Sequence, residues 1–192
     1  MTRIGAMRRT LLSVTAALAL PAAALSPAAA AGHGGHGGHG VFETYRTGAN
    51  AITYDTTKVP VGSRASIMPL AQGKKTTVVL WVYGLLPYRH YGAHVHVKSC
   101  GAAPADSGPH FQNEADPVQP SVDPKYANPQ NEIWLDFATD DHGSAFAVSN
   151  VLWRFDNRPA AALVIHDDHT HTGPGEAGTA GPRLACLNAT FS

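Results

Sequence analysis

Charge is scarce in this chain and evenly split. Only 15% of the 192 residues are charged, with Lys+Arg 14 and Asp+Glu 14. That scarcity argues against a long charged helix or a coiled coil. The lack of a basic excess argues against nucleic acid as a partner. No segment keeps a 3.6-residue apolar period, so amphipathic helices are not expected. No apolar run is long enough to span a bilayer, and Leu11–Leu25, about 15 residues, is interrupted by Pro21. Methionine (3) and cysteine (2) are few, whereas histidine (11), glycine (19) and proline (14) are plentiful. Hydrophobic residues make up 44%, enough for a packed core. The histidine count is the unusual figure, and it points toward metal.

The first 31 residues read as a targeting segment. Arg3, Arg8 and Arg9 form a basic start, an apolar run follows, and Ala28–Ala31 supplies the small residues of a cleavage site. Arg8-Arg9-Thr10-Leu11-Leu12 also loosely resembles a twin-arginine signal. No cysteine lies near the cleavage site to carry a lipid. Cleavage after Ala31 would remove three arginines and no acid, leaving 11 − 14 = −3 on a domain of 192 − 31 = 161 residues. The expected location is therefore secreted or extracytoplasmic, with no membrane attachment after cleavage. In that oxidising setting Cys100 and Cys186 are expected to meet as a disulfide.

Gly32–Gly40 repeats Gly and His, with His33, His36 and His39. Residues 32–50 read as a flexible tail and linker, and the three histidines read either as an accessory metal tract or as linker residues. From residue 51 to 192 the pattern is β-type. Candidate strands are Ala51–Thr57, Arg64–Ala71, Thr76–Tyr83, Tyr91–Lys98, Glu132–Ala138, Ser144–Ser149, Ala161–His166 and Arg183–Thr190. Eight short strands in one domain predict an antiparallel sandwich or barrel. Two long connections interrupt them: Cys100–Asn131, rich in proline, and Asp167–Pro182, rich in glycine. Loops of that length in a compact domain are usually functional.

Each long loop begins just after a histidine-bearing strand. His94 and His96 stand at i and i+2, so on a strand both face one side. His110 lies in the first loop, and His166 ends an apolar run. Four imidazoles from two strands and a loop could enclose one ion. An all-nitrogen set suits Cu(II), and Zn(II) on ligand type as well.

Gly92-Ala93-His94-Val95-His96, Cys100 and Gly108-Pro109-His110-Phe111 resemble the copper-ligand region of the Cu/Zn superoxide dismutases. Leu163-Val164-Ile165-His166 resembles the strand carrying the last copper ligand. Gly178-Thr179-Ala180-Gly181-Pro182-Arg183-Leu184-Ala185-Cys186 resembles the closing signature of that family. The resemblance covers roughly residues 51 to 192. It implies an eight-stranded Greek-key β-barrel, copper on His94, His96, His110 and His166, a Cys100–Cys186 disulfide, and Arg183 as the residue that attracts and orients the superoxide anion. The reaction implied is disproportionation of superoxide to oxygen and hydrogen peroxide, with His110 carrying a proton.

Two departures resemble the copper-only branch. Phe111–Asp141 contains no histidine, so the donors of the family's zinc site are missing and zinc is not expected there. His142 reads as exposed. The second loop is short, with 17 positions from His166 to Arg183. Its His169 and His171 read either as a substitute metal site or as a polar loop face. Without zinc, a carboxylate should hold the His110 ring, and Glu132 and Asp136 both lie in register. The rival function is a copper-binding or copper-buffering protein on the same fold with little turnover. Monomer and homodimer remain equally compatible with the sequence.

Overall fold

The computed structural model describes residues 1–2, 36–156 and 158–191. Apart from its first two residues, the targeting segment 1–31 lies outside the described residues, as does His33. Residues Gly32–Ser192 form one compact unit.

Its described residues form nine strands: β1 (Gly38–Val41), β2 (Ala51–Thr53), β3 (Arg64–Gln72), β4 (Lys75–Tyr83), β5 (His90–His96), β6 (Phe137–Ala138), β7 (Ala145–Val151), β8 (Ala162–His166) and β9 (Arg183–Asn188). The only helical element among the described residues is a 3-10 turn, Pro104–Ser107. Two antiparallel sheets result, ordered β1-β3-β4-β7 and β2-β9-β8-β5-β6. The chain changes sheet repeatedly, so neighbours in space are often distant in sequence. The architecture is thus an all-β antiparallel sandwich.

The first sheet obeys simple alternation. In β3, Ala65, Ile67 and Pro69 are buried while Arg64, Met68 and Leu70 are exposed. Its inner residues Ile67, Val78, Leu80 and Val82 pack with Ala93, Val95, Leu163, Ile165 and Leu187 of the second sheet in one core. The second sheet is different: β8 is buried at every position and β5 at all but His90. Ala162, Val164 and Cys186 make a separate apolar cluster on its outer side, with Cys100 packed against them. The long loops therefore cover this sheet, which explains the uninterrupted apolar run before His166. His94 pairs with Val164 and His96 with Ala162, placing both imidazoles on this loop-covered side.

The structure corrects the sequence reading in three places. Residues 38–41 are not a flexible tail: they form β1, in register with β3 from Gly38↔Ile67 to Val41↔Arg64, and Phe42 beyond them is fully buried. The glycines there are required by contact. A Cβ on Gly38 would lie 2.4 Å from the Asn188 carbonyl, and one on Gly40 would lie 2.6 Å from the Ala51 Cβ. The domain therefore starts before residue 51, and His39 is an exposed strand residue rather than part of a linker. Second, the expected strand Ala51–Thr57 stops at Thr53, because Asp55 folds a turn by accepting from Thr57 N at 2.9 Å and Lys58 N at 3.2 Å. Third, Glu132–Ala138 is a strand only at Phe137–Ala138. Upstream it keeps isolated bridges, Gln112↔Glu132 and His94↔Trp134.

Cys100 and Cys186 are bonded to each other, 86 residues apart, with Cα atoms separated by 5.7 Å. Asn188 Oδ1 accepts from Cys100 N at 2.8 Å, and the Tyr54 hydroxyl donates to the Gly101 carbonyl at 3.0 Å. These contacts fasten the start of the first long loop to β9 and the end of β2. Closing so long a loop restricts the unfolded chain, a stabilisation of roughly 4 kcal/mol in the chain-entropy account. The variant Cys100→Ser is expected to lose about 2–5 kcal/mol of unfolding free energy, as small exported domains do when a native bridge is removed, and to unfold at a lower urea midpoint. Equilibrium denaturation with and without reductant checks this, and reductant should leave the variant unchanged.

Candidate metal centre

His94 and His96 of β5 meet two other histidines. An isolated bridge joins His96 to His110, bringing the first loop onto the strand end. His166 ends β8, opposite Gly92. The ring centroids of His94 and His110 lie 4.2 Å apart, those of His94 and His166 4.9 Å, and those of His96 and His110 4.8 Å. One nitrogen from each of the four rings falls within 4.8 Å of the others. With metal–nitrogen bonds of about 2.0 Å, opposite donors would stand roughly 4 Å apart, so only a small contraction is needed.

A bulge brings in the fifth member. The pairing of β8 with β9 runs regularly from Ala162↔Asn188 to Ile165↔Ala185, and then slips so that His166 faces Arg183 instead of Leu184. Bulges re-aim side chains in this way. Leu184 is taken into the core, while Arg183 lines a cleft of about 240 Å³ together with His110, His166, Gln119 and Thr179. Arg183 Nη1 donates to the Pro104 carbonyl and to the Ser107 hydroxyl, both at 3.0 Å. Both acceptors belong to the loop that the disulfide anchors.

The other nitrogen of each ring fixes its tautomer. His96 Nδ1 lies 2.9 Å from the Gly108 carbonyl and His166 Nδ1 lies 3.3 Å from the Gly181 carbonyl. A carbonyl only accepts, so both Nδ1 atoms carry the proton and both Nε2 atoms carry a lone pair. His110 Nδ1 donates to Glu132 Oε2 at 2.8 Å, leaving Nε2 free to ligate. For His94 the order is reversed: Nε2 donates to Thr170 Oγ1 at 2.6 Å, and that hydroxyl donates to Asp136 Oδ1 at 2.7 Å. His94 Nδ1, His96 Nε2 and His166 Nε2 are buried with no hydrogen-bond partner. Each is the atom that the tautomer leaves with a lone pair. Buried nitrogens are seldom left in that state, and three converging on one spot fit a bound cation. Neutral imidazole nitrogens suit copper and zinc; calcium and magnesium need oxygen donors.

Burial keeps these rings uncharged. It is the largest cause, followed by the His110 ring, of the lowering of His94 and His96 well below the usual histidine range and of His166 to about 3. Arg183 is also lowered by burial from its model-compound value.

The two candidate carboxylates divide the work. Glu132, 1% exposed, accepts from His110, from Trp134 Nε1 at 2.6 Å and, on its other oxygen, from Gln112 Nε2 at 2.8 Å. Asp136 serves His94 through Thr170, whose backbone N it also accepts at 2.7 Å. Thr170 and Trp134 were not singled out by the sequence reading. The sequence offers no periodic signal for Thr170, and Trp134 lies unmarked inside the candidate strand Glu132–Ala138. His142 is exposed beside Asp141. His169 and His171 do not pair with each other: His171 contacts Glu176, and His169 contacts His90.

No family model matches the chain, and no curated protein matches it. Solved structures do. A double mutant of the SOD-like protein from Bacillus subtilis matches with a TM-score of 0.54 at 14% identity, over 82% of this chain and 97% of that one. A single mutant of the same SOD-like protein gives 0.53 at 15%, over 83% and 99%. The clock protein EA4 gives 0.51 at 19%, over 68% and 88%. At these identities the likeness establishes the fold, an SOD-like one.

Two outcomes are expected. In metal-free protein the unfolded chain binds protons at its histidines near pH 6.5, whereas folded His166 waits until about 3. The unfolded state therefore holds more protons in that window. Stability is full above about pH 6.5 and falls as pH drops toward 3, by roughly 1.4 kcal/mol per unit for His166 alone. Thermal unfolding of the chelator-treated protein across pH 4–8 measures it. Replacing Glu132 by Gln puts an N–H among three N–H donors. The expected result is a loss of metal affinity of about 10–100-fold, read by competition with a chromogenic chelator.

Proposed function

We propose that this chain is an exported superoxide dismutase that works with copper at the four-histidine centre and without a zinc ion beside His110. The observation that carries the reading is the convergence of four imidazole lone pairs beside a cleft walled by Arg183. His94, His96, His110 and His166 would hold the ion. Bound there, copper would supply alternating one-electron oxidation and reduction, by which two superoxide anions and two protons give one oxygen and one hydrogen peroxide. The protein supplies the rest. Arg183, clamped by Pro104 and Ser107, is a fixed cation beside the open side of the site, and a cation in a low-dielectric cleft raises the arrival rate of a small anion. His94, His96 and His166 are kept neutral by burial and act as fixed donors. His110 is the more accessible ring, its side chain 17% exposed, and Glu132 stands against its Nδ1. It is the ring that can hold a proton at Nε2, because the carboxylate would balance the resulting imidazolium.

Export is part of the proposal. The basic-apolar-alanine order of residues 1–31 supports it, and so does the Cys100–Cys186 bridge, which an oxidising compartment favours. The second reading, a copper buffer on the same fold, is favoured by the His33, His36 and His39 tract. An anion-facing Arg183 has no part in buffering.

Stopped-flow decay of superoxide at known copper occupancy separates the two. The dismutase reading expects decay far faster than that of an equal amount of loose copper–peptide complex. His166→Ala is expected to lose the metal and the activity together; a copper-loaded His166→Ala protein with full activity would overturn the assignment. Arg183→Ala is expected to retain copper, react at least tenfold more slowly, and lose most of the salt dependence of its rate.

A further inference from the structure

We propose a second metal site, for a Zn(II)-class divalent ion, formed by His90 and His169. It lies outside the four-histidine centre, at the opposite end of β5 from His96. It also differs from the family's zinc position, whose donors would come from the segment after His110. His90 opens β5, and His169 lies in the second long loop; both are exposed. His90 Nδ1 stands 3.1 Å from His169 Nε2, with the rings edge to face at 83° and centroids 4.6 Å apart. His169 Nε2 is also 3.2 Å from the Phe137 carbonyl of β6.

This spacing matches a coordination edge. Two donors about 2.0–2.1 Å from a tetrahedral ion stand about 3.3 Å apart. The carbonyl oxygen of Phe137 offers a third donor at similar range, and water can complete the shell. The ion would take the place of the hydrogen bond that now joins the two rings. Since the carbonyl only accepts, His169 Nε2 carries the proton and His90 Nδ1 already presents a lone pair. Binding needs only that the His169 proton move from Nε2 to Nδ1 by exchange with water; no net proton is released. Mixed imidazole and oxygen donors at an accessible, four-coordinate position suit zinc.

The site would have a consequence for its neighbour. His169 precedes Thr170, whose hydroxyl and backbone N tie His94 to Asp136. An ion on His90 and His169 would tie the second loop to β5 and β6 beside that contact.

The test is Zn(II) binding to the full, metal-stripped protein, measured by competition with a chromogenic chelator. His90→Ala and His169→Ala are each expected to lose one zinc equivalent, or to weaken it at least tenfold. His142→Ala and His171→Ala, which alter other exposed histidines, are expected to bind as wild type. His94→Ala, which alters the buried centre, should retain the equivalent that His90→Ala loses, so failure at one centre is visible apart from failure at the other. Thermal unfolding without metal verifies that the exposed-site variants fold. Unchanged zinc stoichiometry and affinity in His90→Ala or in His169→Ala would overturn the proposal, because the ion needs both rings.

Discussion

Three nitrogen lone pairs buried without a partner set the terms for the rest of this molecule. Leaving a polar atom unsatisfied in the interior costs on the order of 1–3 kcal/mol, and His94, His96 and His166 each contribute one. The sum is comparable with the whole stability of an ordinary domain, about 5–15 kcal/mol. A fold carries such a burden where something bound offsets it. The tautomers make a cation the matching partner, since every N–H at the centre is already turned outward to an acceptor. The arrangement is a cage built inside out: hydrogen bonds on the rim, empty orbitals' counterparts in the middle.

That rim explains why the loops are long and yet well fastened. The Gly108 carbonyl comes from the first loop, and the Gly181 carbonyl and the Thr170 hydroxyl come from the second. The second loop is pinned at its start by Asp167, which pairs with Lys58 at 2.5 Å and with Arg89. Gly92, on the strand between His90 and His94, leaves room for it, because a Cβ there would lie 2.5 Å from the Asp168 carbonyl and 2.7 Å from the Ala180 Cβ. The loops are held by the same sheet whose histidines they orient.

The legible part of the site was the part that follows strand periodicity. His94 and His96 share a face because side chains alternate, and Ala161–His166 reads as a strand because it is apolar up to Ile165; the structure has the strand at Ala162–His166. What could not be read were contacts between distant segments. Nothing local distinguishes Glu132 from Asp136, and only the fold shows that Glu132 meets His110, 22 residues earlier, while Asp136 meets Thr170, 34 residues later. The bulge that exchanges Leu184 for Arg183 opposite His166 is a one-residue slip with no compositional mark. Gly38–Val41 misled for another reason. Its Gly-His repeat looks like linker composition, but the glycines answer to close backbone contact with Asn188 and Ala51.

The carboxylate at Glu132 also changes what kind of scaffold this is. In a centre braced by a second ion, the brace is lost when that ion is lost. Here the brace is a buried carboxylate accepting from His110, Gln112 and Trp134, and a charge so placed is tolerated because its oxygens are met by donors. Gln112 in turn donates to Ser121 and accepts from Asp116 N, and Ser121 donates to Asp116. The orientation of His110 thus depends on the first loop closing correctly upon itself. That loop begins at the Cys100–Cys186 bridge and supplies both acceptors of Arg183. One covalent link therefore stands behind two groups at the cleft, the His110 ring and the Arg183 guanidinium. Rigidity that a second metal would confer is obtained here from loop folding and a disulfide, which ties the integrity of the centre to an oxidising environment.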